Sequence, residues 1–175
     1  QYLYRTSNRG DSWQKISSDL TTNDPEKQKQ EESGGLTIDN STAENHCTIY
    51  TISESPKNNK IIWAGTDDGN IQVTDSDGKD WNDVTPNIPG LPKNTWCAKV
   101  QASNHDANTA YVVFDGHRNG DKKVYVYKTT DLGETWTSLA AENIETFART
   151  ITEDFVNPNL LFLGTEYGLY ITIDG

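Results

Sequence analysis

Short segments of alternating apolar and polar residues recur along the chain, and clusters of turn-forming residues separate them. This alternation is typical of half-buried β-strands. Glycine lies in several of the intervening turns, where it supplies the positive φ that tight hairpins need. The pattern predicts successive groups of two, four, four and three antiparallel strands. No segment has helical periodicity, although 24–28 and 139–146 are each long enough for one helical turn.

One eight-residue motif follows the third predicted strand of the three larger groups and the first strand of the two-stranded group. It reads Thr, any residue, Asn or Asp, any residue, Gly, any residue, Ser or Thr, Trp at 6–13 and at 129–136. The copy at 74–81 has Ser76 and Asp80 at two of these positions, and a fourth copy begins at Thr172. Repetition with a period of some tens of residues indicates a repeat architecture. The motif residues that we assign to the fold are Thr6, Asn8, Gly10, Trp13, Thr74, Gly78, Trp81, Thr129, Asp131, Gly133 and Trp136.

A unit of four short antiparallel strands in about 50 residues has the size of one β-propeller blade. We therefore predict an all-β segment of a propeller, with about three and a quarter blades in an incomplete ring. Such a segment cannot close on itself, so we expect the remainder of the same propeller or another copy as a partner. The predicted parts of this one domain (1–175) are the outer strands of a first blade (1–17), a long inter-blade loop (18–47), a second blade (48–95), a third blade (96–145) and three strands of a fourth (146–175).

The motif resembles the Asp-box, also called the BNR repeat, of sialidases, xyloglucan-active glycoside hydrolases and sortilin-type receptor domains. Segments 61–69 and 161–170 are similar to the second and third strands of sortilin-like and xyloglucanase-like blades. The resemblance is strongest to bacterial secreted repeat proteins that are described as glycosyl-hydrolase-like. It implies a β-propeller fold and an extracellular or periplasmic location. It also implies that the motif builds the fold and lies away from any active site.

The motif residues have a structural role in this interpretation. Asn8 and Asp131 are expected to accept backbone N–H groups of their own turns. Glycine permits the left-handed conformation, and we expect each Trp ring to pack between neighbouring blades. The acidic run 75–80 lacks the ligand spacing of an EF-hand. We therefore predict no metal or cofactor, with calcium at 75–80 as a minor alternative.

The net charge of −11 argues against nucleic acid and anionic membrane surfaces as partners. Neutral sugars, cations and basic protein patches remain possible ligands. No apolar run approaches the roughly 20 residues that span a bilayer. For Cys47 and Cys97 we favour two buried thiols over a disulfide, because a bridge needs Cα atoms within about 7 Å and neighbouring inner strands usually lie farther apart.

Candidate binding residues lie in the loops that emerge at one end of a propeller, opposite the Asp-box turns. Trp96 is of particular interest, since an exposed indole could stack on a sugar, whereas a buried one would only plug the channel mouth. Loops between second and third strands contribute Asp67, Asp68, Asp115, His117, Arg118, Glu166 and Tyr167, and inter-blade loops contribute Asp39, Glu44, His46, Trp96, Glu142 and Glu145.

Three functions are compatible with these residues. Glycoside hydrolysis would need two carboxylates about 5 to 10 Å apart. A sialidase would also need a cluster of arginines to hold a carboxylate, which makes it an unfavoured function here, because the chain has four arginines and one of them, Arg9, lies inside the motif. We favour a noncatalytic binding or scaffold propeller of a secreted protein that recognises a glycan or a protein. The alternatives are part of a xyloglucanase-like glycoside hydrolase, which would make the protein an enzyme, and a sortilin-like peptide-binding propeller.

Overall fold

The computed structural model describes residues 1–29 and 46–175. In these residues the chain forms thirteen strands and three short 3₁₀ turns, Pro25–Gln28, Thr85–Asn87 and His117–Asn119. The strands are β1 (Tyr4–Arg5), β2 (Gln14–Lys15), β3 (Ile49–Glu54), β4 (Ile62–Thr66), β5 (Ile71–Thr74), β6 (Asn82–Asp83), β7 (Trp96–Ala102), β8 (Ala110–Asp115), β9 (Tyr125–Thr129), β10 (Thr137–Ser138), β11 (Ala148–Glu153), β12 (Leu161–Thr165) and β13 (Leu169–Thr172).

The strands form four antiparallel sheets in which consecutive strands are neighbours. Sheet 1 contains β1 and β2, sheet 2 contains β3 to β6, sheet 3 contains β7 to β10 and sheet 4 contains β11 to β13. The innermost strand of each larger sheet has a register shift near its start, between Ile49 and Thr51, Cys97 and Lys99, and Ala148 and Thr150. This repeated irregularity shows that the sheets are copies of one unit. The predicted all-β architecture of four-stranded antiparallel sheets is confirmed.

Apolar side chains fill the space between successive sheets. Leu3, directly before β1, and Ala64 of the second sheet belong to one cluster. Trp63 and Val112 join sheets 2 and 3, and Val113 packs with residues of sheet 4. Alternation along a strand sends neighbours to opposite faces, so each full sheet is buried on both sides. This explains why β4 and β8 are buried along their whole length.

The turns that carry the repeated eight-residue motif are stabilised as the motif chemistry predicts. The hydroxyl of Thr129 accepts the backbone N–H of Gly133 at 2.9 Å, and the carboxylate of Asp131 accepts that of Thr135 at 2.9 Å. Asn8 accepts the N–H of Ser12 at 3.0 Å in the first copy. In the second copy, the hydroxyl of Ser76 takes the place of the missing carboxylate.

The three motif indoles do not have the same surroundings. Trp136 is 6 % exposed and packs edge-on against Trp63, and the indole N–H of Trp81 donates to the carbonyl of Ile16 at 2.9 Å. Trp13, in contrast, is 61 % exposed. The expectation that every indole packs between sheets is therefore wrong for Trp13. Trp81 and Trp136 contact residues in or beside the preceding sheet, Ile16 and Trp63, whereas the described residues place no such partner against Trp13.

The two cysteines are free and buried, which confirms the expectation of two thiols. A Cβ atom placed on Gly65 would lie 2.4 Å from the sulfur of Cys97, so this thiol fills the space beside a glycine of β4. Burial raises the pKa of the Cys97 thiol and keeps it in the unreactive, protonated form. In the part of the chain that the structure describes, no helix is long and apolar enough to span a membrane.

Candidate binding site at the loop end of the sheets

In sheets 2, 3 and 4 the first strand (β3, β7 or β11) begins beside the end of the second strand (β4, β8 or β12), because the two strands pair antiparallel. Trp96 faces Asp115 across sheet 3, and Ala148 faces Thr165 across sheet 4. The loops after β4, β8 and β12 therefore converge with the segments that enter β3, β7 and β11. We call this side of the molecule the loop end; the turns that carry the eight-residue motif lie on the opposite side.

Asp115 is the centre of a charged cluster at the loop end. Its side chain is fully buried, and its Oδ1 atom accepts hydrogen bonds from the backbone N–H of His117 at 2.9 Å and from the ring Nδ1 at 2.7 Å. The 3₁₀ turn His117–Asn119 ends at Gly120, whose φ of 77° belongs to the left-handed region that favours glycine. This turn folds the loop back so that His117 lies over the end of β8.

Arg149 joins this cluster to sheet 4. Its Nη1 atom lies 3.3 Å from Oδ2 of Asp115, and its Nε and Nη2 atoms donate to the same carboxylate oxygen of Glu166 at 3.0 and 2.8 Å. The guanidinium thus lies between two carboxylates from different sheets. Charge-assisted hydrogen bonds of this kind are directional and hold the groups in one arrangement.

Aromatic rings surround the charged groups. The His117 ring stacks on Phe147 with centroids 4.8 Å apart, and the guanidinium carbon of Arg149 lies 4.8 Å from the same ring. Arg118 lies over the ring of Trp96 at 4.1 Å, while Tyr50 packs against Trp96 edge-on at 4.6 Å. Because Arg118 covers this face of the indole, a sugar could stack there only after displacing a cation–π contact.

A second cluster connects sheet 2 to the segment that follows sheet 1. The carboxylate of Asp68 accepts the backbone N–H and the hydroxyl of Thr22, each at 2.7 Å, and also the hydroxyl of Thr66. Asp67 accepts the N–H of Thr48 at 2.6 Å, and the ring of His46 lies 3.8 Å from its other oxygen. Burial raises the pKa of Asp67, whereas for Asp68 burial acts in the same direction but is outweighed by the hydroxyl and N–H donors, which lower its pKa.

The lowered pKa of Asp68 leads to a pH-dependent prediction. Asp68→Asn is expected to reduce stability at pH 7 by about 1–3 kcal/mol, because charged acceptors make the stronger hydrogen bonds. A carboxyl with a lowered pKa in the folded state stabilises the fold above its unfolded pKa of about 3.9 and loses that contribution as the pH falls through the folded pKa. The difference between wild type and variant in urea titrations should therefore shrink below pH 4. A difference that stays constant down to pH 2 would contradict this account.

The structure brings together some of the predicted site residues and separates others. Trp96, Asp115, His117, Arg118 and Glu166 belong to the charged and aromatic cluster, and Asp67, Asp68 and His46 to the second one. Tyr167 is 75 % exposed and lies in neither cluster. Glu142 and Glu145 lie beside Lys122 and Lys123 at a shallow depression. Asp39 and Glu44 lie outside the described residues.

Sequence reasoning missed Arg149, Phe147, Tyr50 and Thr22 as site residues. Arg149 and Phe147 were recognisable in principle, because they lie at the start of an inner strand, where the loop end forms. Tyr50 occupies the corresponding part of β3. Thr22 lies in a polar segment that is positioned by its contact with Asp68, 46 residues farther along the chain. The local pattern of apolar and polar residues around Thr22 does not indicate this contact.

The chain matches no protein-family model and no curated protein sequence. Among solved structures, it is similar to YCF48 from Cyanidioschyzon merolae, with 20 % identity, a TM-score of 0.52, and coverage of 73 % of this chain and 34 % of that one. A structure of YCF48 bound to D1 peptide gives 19 % identity, a TM-score of 0.50, and coverage of 73 % and 38 %. An ancestral GH74 enzyme gives 15 % identity, a TM-score of 0.65, and coverage of 98 % and 20 %.

These structures are β-propellers, so the comparison establishes that the described sheets form part of a propeller. The chain spans between about a fifth and two fifths of the length of these structures. Identities of 15 to 20 % extend to the fold alone and not to the activity.

Proposed function

We propose that this propeller is a noncatalytic binding scaffold that recognises a segment of another protein at its loop end. The observation that carries this proposal is the arrangement of Asp115, Arg149 and Glu166. Both carboxylates contact one guanidinium, so they link two sheets. A glycosidase instead needs two carboxylates that flank a scissile bond, one of them free to donate a proton.

The composition of the loop end also favours a protein ligand. Arg118 is exposed and its guanidinium carbon lies 4.1 Å from the ring centroid of Trp96, and the described residues place no carboxylate against it. Arginine and aromatic side chains are the residue types that contribute most to protein interfaces. A structural neighbour of this chain, YCF48, is known with a bound peptide. The similarity to GH74 enzymes keeps polysaccharide hydrolysis as the alternative to be tested.

Arg118→Gln is the variant that tests this proposal. We expect wild-type protein to bind members of an array of short synthetic peptides of varied charge, and the variant to bind about five- to thirtyfold more weakly, as the loss of about 1–2 kcal/mol at an interface arginine gives. Arg9→Gln is the matched control, because Arg9 is also exposed but lies in an Asp-box turn at the opposite end.

Hydrolysis of xyloglucan and other β-glucans should be measured in parallel. The proposal predicts no turnover by the wild-type protein. Turnover that Glu166→Gln abolishes would contradict it and would instead identify a glycoside hydrolase. Equal peptide binding by the Arg118 and Arg9 variants would show that the ligand binds elsewhere.

A further inference from the structure

The loop between β8 and β9 (116–124) is longer than its counterparts in the neighbouring sheets. It has nine residues, whereas the loop between β4 and β5 (67–70) has four and the loop between β12 and β13 (166–168) has three. The hairpins of sheets 2 and 4 form without the additional residues, so the repeat fold does not require them. Loops on a rigid scaffold commonly carry binding residues, and a loop that is extended in one repeat alone is a candidate for such a role.

Hydrogen bonds within the loop hold it in one conformation. The N–H groups of Asn119 and Asp121 donate to the carbonyl of Gly116 at 2.9 and 3.1 Å. The carboxylate of Asp121 accepts the hydroxyl of Tyr125 at 2.7 Å and the N–H of Lys123 at 3.0 Å, and these two bonds lower its pKa. A loop that is ordered before binding loses little conformational entropy when a ligand arrives.

The charge of this loop is opposite to that of the chain. The chain has a net charge of −11, but the loop contains three cationic side chains, Arg118, Lys122 and Lys123, and a single carboxylate, the engaged Asp121. The shorter loops of sheets 2 and 4 contain acidic residues and neither lysine nor arginine. Charges separated by more than about 8 Å are largely screened at physiological ionic strength. A partner at this loop therefore interacts mainly with the local cations.

The carboxylates at the loop end are already paired, whereas Arg118 is not. Asp115 and Glu166 both accept hydrogen bonds from Arg149. Arg118 lies over the ring of Trp96, and the described residues place no carboxylate against its guanidinium. The unused groups at this site are thus hydrogen-bond donors with positive charge. A ligand that satisfies them has to supply acceptors, and a carboxylate supplies strong ones.

Arg118 is better placed than the two lysines for a direct contact. Lys122 and Lys123 share a shallow depression with Glu142 and Glu145, so part of their charge is offset locally. A guanidinium can bind a carboxylate through two parallel N–H···O bonds while its face stays on an aromatic ring. The contact between Arg118 and Trp96 is therefore compatible with a bound carboxylate.

We propose that loop 116–124 recognises an acidic segment of a partner protein, and that Arg118 pairs with an aspartate or glutamate side chain of that segment. This inference rests on the function proposed above and specifies the chemical class of its ligand. The guanidinium of Arg118 keeps its contact with Trp96 in the complex, while Lys122 and Lys123 attract the segment without a direct pair.

Three synthetic peptides of equal length test the charge of the ligand. Each alternates serine with glutamate, glutamine or lysine and is capped at both ends, so that no terminal charge contributes. We expect the glutamate peptide to bind in an anisotropy titration and the glutamine peptide to bind about tenfold more weakly or worse, because charge-assisted hydrogen bonds are the stronger ones. Added salt should weaken binding of the glutamate peptide. Equal binding of the glutamate and glutamine peptides, including none by either, or a preference for the lysine peptide would overturn the inference.

A charge reversal at Arg118 tests the position of the contact. Arg118→Glu should weaken binding of the glutamate peptide by about tenfold or more, since a repulsion replaces an attraction. Lys57→Glu is the matched control, because Lys57 is exposed in the turn between β3 and β4, at the opposite end, and its substitution changes the net charge equally. This control should bind as the wild-type protein does. Equal affinities of the two variants would show that the loop does not determine binding and would overturn the inference.

The array of peptides of varied charge separates failure of this inference from failure of the proposed function. If array peptides without acidic residues bind as well as acidic ones, and Arg118→Gln weakens their binding, the loop end recognises peptides without a preference for carboxylates. Only the acidic specificity is then wrong. If no peptide of the array or of the serine series binds, both the specificity and the proposed function are wrong.

Discussion

Trp136→Ala is expected to lower the free energy of unfolding by about 3–5 kcal/mol, the usual cost of truncating a buried aromatic side chain. The ring of Trp136 packs at 6.0 Å from that of Trp63, which is fully buried, and both belong to the cluster between sheets 2 and 3. Its removal leaves a cavity that rigid strands on either side cannot close. The loss should appear as a lower urea midpoint with an unchanged slope.

Trp13→Ala is the matched control, since Trp13 occupies the same motif position in a turn with the same hydrogen bonds. Its ring is 61 % exposed, so the expected cost is below about 1 kcal/mol. Equal losses at both positions would contradict the packing described for the sheets. It would then follow that Trp13 is covered by a neighbour of its own.

The motif allowed the turns to be predicted from sequence, whereas the burial of the indoles could not be predicted in the same way. The hydrogen bonds of each motif turn lie within eight residues, so Thr129, Asp131 and Gly133 determine their own geometry. The surroundings of Trp13 and Trp136 depend on whether another sheet precedes theirs. Local sequence carries no information on that contact, and identical motifs therefore differ in exposure.

In the loop-end cluster, too, some features were predictable from the sequence and others were not. Chain topology alone places Asp115, Trp96 and Glu166 at one end, because antiparallel strands bring those positions together. The ion pairs of Arg149 were not predictable, since they depend on the side-chain geometry between two sheets. The contacts of Thr22 with Asp68 depend on the path of a loop, and the sequence of this loop has no periodic pattern from which that path could be predicted.

Glu153→Ala is expected to be as destabilising as the loss of a core aromatic residue, at about 3–5 kcal/mol. Glu153 is 2 % exposed at the end of β11, and its carboxylate accepts the hydroxyls of Ser103 and Tyr111, at 2.8 and 2.9 Å, and the backbone N–H of Asn104. Alanine would leave two buried hydroxyls and one partly buried N–H group without their acceptor. Each such group costs about 1–3 kcal/mol.

Tyr111 provides a spectroscopic readout of the same contact. Burial raises the pKa of its hydroxyl, and the hydrogen bond to Glu153 raises it further because the neighbouring carboxylate disfavours a second negative charge. In Glu153→Gln, which keeps the size of the side chain but removes its charge, this pKa should fall while remaining above the ordinary value of about 10. Alkaline titration followed by tyrosinate absorbance measures the change.

Glu54→Ala is the control that distinguishes the effect of burial on stability from the effect of position in the sheet. Glu54 pairs with Ile62 as Glu153 pairs with Leu161, so the two glutamates occupy equivalent places in sheets 2 and 4. The Glu54 side chain is 55 % exposed and lies 3.6 Å from Arg5, and exposed ion pairs contribute less than about 1 kcal/mol. A large loss for Glu153→Ala with a small one for Glu54→Ala shows that the buried donors determine the effect. Small losses of similar size for both variants would contradict this account. They would mean that water replaces the Glu153 carboxylate as acceptor and that the packing of sheets 3 and 4 does not require the carboxylate.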